Sequence, residues 1–230
     1  MKKRIDVEIY LLAIGQTLAW ASIYYIFPAF LLKWEQDFGW SKADLTAAIT
    51  IATLVSALFS PFAGRIIDRG HGPILLGSAA ILGGLGLALL SLVKQQWQFY
   101  AVWFLIGVAI AGCLYEPCFA IVTRSRGVNA KRPIILITLA AGFASTITYP
   151  LSHILSEVLG WRGTVQVFGA IVILVAAPIL WLGAQKLEKN QISTENKSFE
   201  NRSKKTFMRE PTFWFLSMGF ACLAIVHSAT

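Results

Sequence analysis

The sequence predicts an all-α polytopic membrane protein, a six-helix bundle followed by the start of a seventh helix. Of its 230 residues, 56% are hydrophobic and only 14% are charged, whereas a soluble domain carries about 25% charged residues. The apolar residues fall into blocks of about 20, the length that crosses a hydrocarbon core about 30 Å thick. Because these blocks are continuous and do not alternate with polar residues, they predict helices rather than a transmembrane barrel.

Six apolar blocks predict six crossing helices, and a seventh helix is predicted to begin near residue 211. The first block is too long for the apolar core of a signal peptide and lacks a small-residue cleavage site, so we interpret it as a crossing helix. The predicted ranges are 9–32, 43–62, 73–93, 98–122, 134–156 and 164–183.

Residues 184–210 form the longest polar stretch and predict a flexible cytoplasmic linker. They are rich in Lys, Glu, Asn and Ser, and a segment of this composition buries too little apolar surface to offset the entropy lost on ordering. The predicted organisation is a bundle at 1–183, a linker at 184–210 and the first helix of a second bundle at 211–230. A seventh helix without the rest of a second bundle predicts a truncated chain.

The positive charges predict which side of the membrane each end faces. Sixteen Lys and Arg residues lie on the side of the N-terminus and four on the other, and cytoplasmic segments carry the excess of such residues. The four are Lys33, Lys42, Lys94 and Arg162. We therefore expect an integral protein of the bacterial inner membrane with a cytoplasmic N-terminus. The same asymmetry accounts for the net charge of +8, so no nucleic-acid partner is predicted.

Three cysteines predict neither disulfides nor a metal site. Cys113, Cys118 and Cys222 lie inside apolar blocks without CxxC spacing, and we interpret them as small buried hydrophobic residues. The sequence predicts no metal and no cofactor. A membrane-embedded enzyme would need clustered acids or paired histidines, and the 3 histidines are scattered, so we do not predict an enzyme.

A short polar turn lies between the second and third apolar blocks. It reads Gly-Arg-Ile-Ile-Asp-Arg-Gly-His-Gly-Pro over residues 64–73. Gly64 and Gly70 permit close approach and left-handed backbone angles, and Pro73 suits the first turn of the next helix. Asp68 is an acid among cytoplasmic cations. Its simplest ion-pair partners are Arg65, Arg69 and Arg124.

This turn and three further stretches resemble the major facilitator superfamily, and more narrowly its monocarboxylate-porter-like branch. The further stretches are Phe-Gly-Trp-Ser at 38–41, the run at 107–117 in the fourth helix, and Gly-Trp-Arg-Gly at 160–163. The resemblance covers nearly all of the predicted bundle. It implies one half of a transporter in which two six-helix bundles alternate access to a central site, so the missing C-terminal half is a predicted partner.

The resemblance also implies that the polar turn is a gating loop. Its gating residues are Gly64, Arg65, Asp68, Arg69 and Gly70, and the aspartate would lock the two halves in the outward-open state and release them as they rock. The alternative is that the arginines only anchor a turn at the cytoplasmic surface.

Glu116 is the one carboxylate clearly inside a predicted crossing helix. A charge at membrane depth costs about 2.5–3.5 kcal/mol on insertion scales, so it should face a cavity or a partner. It is either a proton or substrate site, or a hydrogen-bonding group at the kink that Pro117 introduces by removing a backbone donor.

Two stripes of polar and aromatic residues are further substrate or proton candidates. Gln16, Trp20 and Tyr24 are spaced four apart on the first helix, and Tyr149 and His153 are spaced likewise on the fifth. The resemblance implies that the first, fourth and fifth helices line the central cavity. The alternatives are packing between helices and, for Tyr24 and His153, anchoring at the membrane interface. A stripe on the second helix favours packing: Thr46, Thr50, Thr53 and Ala57.

Two departures from the resemblance leave the substrate class open. In proton-coupled relatives a lysine follows a Phe-Pro pair in the first helix, whereas here Phe27-Pro28 is followed by Ala29. Trp103 stands near the place of the superfamily's arginine motif in the fourth helix. We predict a secondary transporter of a small organic solute, with carboxylates as a candidate class and a proton as a candidate coupling ion. The alternative is a non-transporting fragment of a truncated gene.

Overall fold

The computed structural model describes residues 6–195, with side chains up to residue 189. Within this range the ordered elements are helices, and no strand is present. Five helical segments are long and apolar enough to cross a membrane. They are Val7–Phe38 (α1), Lys42–Asp68 (α2), Gly72–Leu90 (α3), Gln96–Asn129 (α4) and Lys131–Lys189. The all-α polytopic fold predicted from the sequence is confirmed.

The last of these segments contains two helices that meet at Gly160. This glycine has φ 66° and ψ 173°, a backbone region that is open almost only to glycine. It divides the segment into 131–159 (α5) and 161–195 (α6). A single residue thus replaces the loop predicted between 156 and 164.

α5 and α6 run in opposite directions along α1. Thr148 Oγ1 of α5 donates to the Ala21 carbonyl at 2.8 Å, and Lys33 donates to the Ser156 hydroxyl further along both helices, so α1 and α5 are parallel. Along α6 the order of contacts with α1 is reversed. The close pairs are Gly15 with Leu180 and Leu12 with Gly183. The described residues therefore hold six crossing segments.

Small residues bring neighbouring helices into close contact. A Cβ added to Gly84 of α3 would lie 2.8 Å from the Gly169 carbonyl oxygen of α6. One added to Gly107 of α4 would lie 2.6 Å from the Ala52 carbonyl oxygen of α2. Because α4 also packs on α1, the helices follow the order α2, α4, α1, α5, with α3 and α6 packed together behind them.

Charged side chains link the helices at the two ends of the bundle. At the end that holds residue 6, Arg126 pairs with Glu8 at 2.6 Å. At the opposite end, Asp37 accepts a hydrogen bond from Trp161 Nε1 at 2.9 Å and lies 3.8 Å from Arg162. The Phe38 and Trp161 rings also pack there, 5.5 Å apart, so the stretches 38–41 and 160–163 that carried the resemblance contact each other.

Four helices end well beyond their predicted ends. α1 ends at Phe38, α2 at Asp68 and α4 at Asn129, rather than at 32, 62 and 122, because helical backbone continues past the apolar positions that define a hydropathy block. α6 continues to Glu195 rather than 183, and Ala184 and Leu187 are buried in the bundle core. The rest of the predicted linker and the predicted seventh helix lie outside the described residues.

Candidate functional site

α1, α2, α4 and α5 expose polar side chains on the surface away from α3 and α6, which we call the open face. α3 and α6 expose mainly apolar side chains, such as Ile81 and Leu174. The exposed polar residues of the open face are Tyr24, Thr46, Thr50, Thr53, Glu116, Thr146, Tyr149 and His153. The threonine stripe of α2, for which packing was favoured, is therefore exposed in the described structure. Its hydroxyls donate instead to carbonyls of their own helix.

An aromatic cluster lies beside the open face where α1 meets α4. The Trp20 ring centroid is 5.0 Å from that of Tyr24 and 4.6 Å from that of Tyr115. Tyr25 packs edge-on against Tyr24 at 5.6 Å. Trp20 and Tyr24 are the first and last residues of a π-helical turn, and such turns are frequent at functional sites. Tyr115 was not among the predicted site residues. Its position two residues before Pro117, where a helix break is expected, is the sequence signal that could have identified it.

Gln16 is buried between α1 and α4 and braces a break in α4. Its Nε2 donates to the carbonyls of Cys113 at 2.8 Å and Leu114 at 3.3 Å. The Cys113 carbonyl would normally accept from the residue four positions later, but that residue is Pro117, which has no N–H. Leu114 has φ −85° and ψ −150°, so the helix is interrupted there. Gln16 thus supplies the missing donor and does not lie on the open face.

Two buried polar atoms stand next to this brace. Gln16 Oε1 and Trp20 Nε1 have no hydrogen-bond partner among the described residues. The two residues are one helical turn apart, so an acceptor and a donor lie on the same side of α1. Groups of this kind are normally satisfied by a partner or an ordered water.

Glu116 is exposed on the open face and does not brace the Pro117 kink. It lies in the first turn of the helical segment Tyr115–Arg126. No residue in the described part of the chain forms a hydrogen bond or an ion pair with its carboxylate. The sequence offered two interpretations of Glu116, a proton or substrate site and a hydrogen-bonding group at the kink. The hydrogen bond at the kink is formed by Gln16 instead.

Tyr149 and His153 lie together on the exposed side of α5. Tyr149 is 46% exposed, and the His153 imidazole is 3.4 Å from the Glu157 carboxylate. Neither contacts the aromatic cluster in any described interaction. Both are thus exposed on α5, one of the four helices of the open face, and lie on a different helix from Tyr24 and Glu116.

The predicted gating turn is shorter than the sequence suggested. Gly64 to Asp68 belong to α2, and the turn itself is Arg69–His71. Gly70 adopts φ 82°, as predicted, and Pro73 lies in the first turn of α3. Gly64 is helical, and a Cβ added there would meet nothing within 4 Å in the described structure.

Asp68 is exposed and forms no ion pair with another described residue. The expected partners point elsewhere. Arg124 donates to the Ile67 carbonyl, and the Arg65 guanidinium lies over the Phe62 ring at 4.5 Å. The carboxylate at the end of α2 is therefore open to a partner.

Together, the six crossing segments and the polar open face define a helical membrane protein with one surface suited to a polar cavity. A family model for the Major Facilitator Superfamily matches residues 12–230. The chain belongs to this superfamily. The match confirms the resemblance at the level of the superfamily, and the narrower monocarboxylate-porter-like assignment stays a prediction.

Curated relatives of the chain are transport and resistance proteins. One is the "Multidrug resistance protein MdtH" of Proteus mirabilis, 25% identical over 108 residues, which are 47% of this chain and 26% of the relative. Another is a "Probable L-galactonate transporter" of Escherichia coli, 22% identical over 203 residues, which are 81% of this chain and 44% of the relative. The chain thus spans less than half the length of these relatives.

Proposed function

We propose that the chain forms part of a secondary active transporter that moves a small organic solute across the membrane by alternating access. The observation that carries the proposal is the open face, where four adjacent helices expose hydroxyl, phenol, imidazole and carboxylate groups. The carboxylate and the imidazole in particular are costly against lipid and suit a water-filled cavity. Membership in the superfamily supports the proposal. The second wall of the cavity would come from the C-terminal bundle that the sequence predicts.

The solute would contact the side chains that lie on or beside the open face. These are Trp20, Tyr24, Glu116, Tyr149 and His153. Gln16 would act through α4, because it holds the broken backbone beside Tyr115 and Glu116. Glu116 is also the proposed site for a coupling proton. Carboxylates as the solute class stay a prediction from the resemblance.

Uptake into proteoliposomes tests the proposal. The complete protein that contains this chain would be reconstituted and assayed with labelled carboxylates, sugars, amino acids and amines. Saturable uptake above that of protein-free liposomes is expected for at least one solute. Tyr24→Leu should reduce that uptake, whereas Trp181→Leu, an exposed aromatic residue of α6 on the opposite side, should not. No uptake across the whole panel would contradict the proposal.

We also propose that Asp68 is part of the gate between the two halves. Its carboxylate is exposed and has no described ion-pair partner, which leaves it available to the other bundle. Asp68→Asn should slow transport by about tenfold, the effect of losing about 1.4 kcal/mol of stabilisation in one state. The measurement is the initial rate of uptake at equal protein density.

The control for the gate is Glu35→Gln, which removes a carboxylate 3.7 Å from Lys42 at the opposite end of the bundle. This variant should transport at the unmodified rate. Both variants should reach the membrane in normal amounts, because neither residue is in the apolar core. Unchanged transport by Asp68→Asn would leave the turn as a surface anchor only.

A further inference from the structure

The charge of the open face sets which solutes it can hold. In the four helices that form it, the stretches 9–32, 45–64, 97–123 and 133–152 contain a single charged residue, Glu116. The lysines and arginines of these helices lie outside the four stretches, toward the helix ends. Lys33 donates to Ser156, and Arg124 donates to the Ile67 carbonyl. The middle of the open face is therefore negative.

A carboxylate at membrane depth is rare and faces a water-filled cavity or a cationic or proton partner, because a charge against lipid is costly. Glu116 has none among the described side chains. A carboxylate solute at this place would meet a second negative charge, with no cation among the described side chains of the stretch to offset it. A cationic solute would be attracted by the same field.

The aromatic cluster beside Glu116 favours the same class of solute. Tyr115 immediately precedes Glu116, and its side chain is half-buried in the cluster whereas that of Glu116 is exposed, so the cluster begins where the exposed carboxylate does. Tyr115 and Phe119 stack at 4.9 Å, and Trp20 lies 4.6 Å from Tyr115. Faces of Trp and Tyr attract cations within about 6 Å of the ring centroid. Aromatic rings beside a carboxylate are the chemistry that recognises alkylammonium groups.

We infer that the open face binds an organic cation, an alkylammonium group held by Glu116 and the rings of Trp20, Tyr24 and Tyr115. This inference rests on the proposed function and replaces the carboxylate class suggested by the resemblance. The ammonium charge would pair with Glu116, and its alkyl groups would contact the rings.

Three probes of nearly one shape test the inference. They are choline, its neutral isostere 3,3-dimethyl-1-butanol, and the anion 3,3-dimethylbutanoate. Binding to the complete protein in nanodiscs would be measured by competition with labelled choline. Choline should bind at least about tenfold tighter than the neutral probe, as expected for a desolvated cation–aromatic contact with a carboxylate nearby. The anion should not compete.

Matched variants assign the preference to the named side chains. Glu116→Gln should bring choline and the neutral probe to within about threefold, while Glu116→Asp, which keeps the charge, should retain the preference. Trp20→Leu should weaken choline more than the neutral probe. Glu35→Gln, at the outer end of the bundle, should change neither.

The outcomes separate this inference from the proposed function. Equal binding of choline and the neutral probe, tighter binding of the anion, or no choline binding would each overturn the inference. An unchanged preference in Glu116→Gln would overturn it as well, because the carboxylate would then be paired within the protein. If a labelled carboxylate is nevertheless taken up by proteoliposomes, the transporter proposal stands and only the solute class is wrong.

Discussion

Pro117 removes one hydrogen-bond donor from the middle of α4, and Gln16 replaces it from another helix. The need for a replacement can be predicted from the sequence, since a proline inside a crossing helix leaves the carbonyl four residues earlier without its usual donor. Which side chain supplies it cannot, because Gln16 and Cys113 are 97 positions apart. Glu116 is the nearest polar residue in the sequence, but it points to the open face. Tertiary packing therefore determines that Gln16, and not Glu116, serves the Cys113 carbonyl.

Replacing Gln16 should destabilise the bundle only while Pro117 is present. Gln16→Leu leaves the buried Cys113 carbonyl without a donor, which costs about 1–3 kcal/mol. In a Pro117→Ala background the backbone N–H of residue 117 can serve that carbonyl, so the same substitution should cost much less. Urea unfolding of the four variants in detergent gives the coupling free energy of a double-mutant cycle. An equal cost in both backgrounds would show that Gln16 acts by packing alone.

Hydropathy predicted the apolar middle of each helix, but it did not predict the residues at which several helices end. The start of α3 at Gly72 was predicted within one residue, because Pro73 and the polar turn mark it. The ends of α1 and α6 were predicted too early, because Trp34 and Leu187 are buried beyond the charged residues that end the apolar blocks. The sequence predicted a loop between 156 and 164, whereas Gly160 alone makes the connection through backbone angles that hydropathy does not report.

Two glycines at the same end of the bundle allow a matched test of that connection. Within the described part of the chain, a Cβ would meet nothing within 4 Å at either Gly160 or Gly39, so backbone conformation is what distinguishes them there. Gly39 has φ 69° and ψ 17°, a left-handed conformation that asparagine tolerates. Gly160→Asn should therefore lower the free energy of unfolding by about 1–3 kcal/mol, and Gly39→Asn by much less. Thermal unfolding in detergent measures both, and equal losses would contradict the backbone explanation.

At the scale of the whole molecule, six crossings bring the first and last described helix ends to the same side. Arg126 pairs with Glu8 there, and a Cβ on Gly72 would lie 2.9 Å from Glu188 Oε1. Lys42 and Arg162 lie at the opposite end. Among the described residues, the cations of the two charge sets that the sequence distinguished thus lie at opposite ends of the bundle. The second wall of the cavity and the partner of Asp68 were implied by the resemblance and are not among the described residues.

The positive-inside rule assigns the cytoplasm to the end that holds residue 6, and thiol labelling tests that assignment. Lys94 is exposed between α3 and α4, and Val128, at the other end, is 97% exposed. The native Cys113 and Cys118 are buried, and Cys222 would be replaced by serine. A membrane-impermeant maleimide should label Lys94→Cys in intact spheroplasts and Val128→Cys only after lysis. The reverse pattern would show that the bundle has the opposite orientation. The Asp68 turn would then lie outside the cell, and the proposed cytoplasmic gate would be wrong.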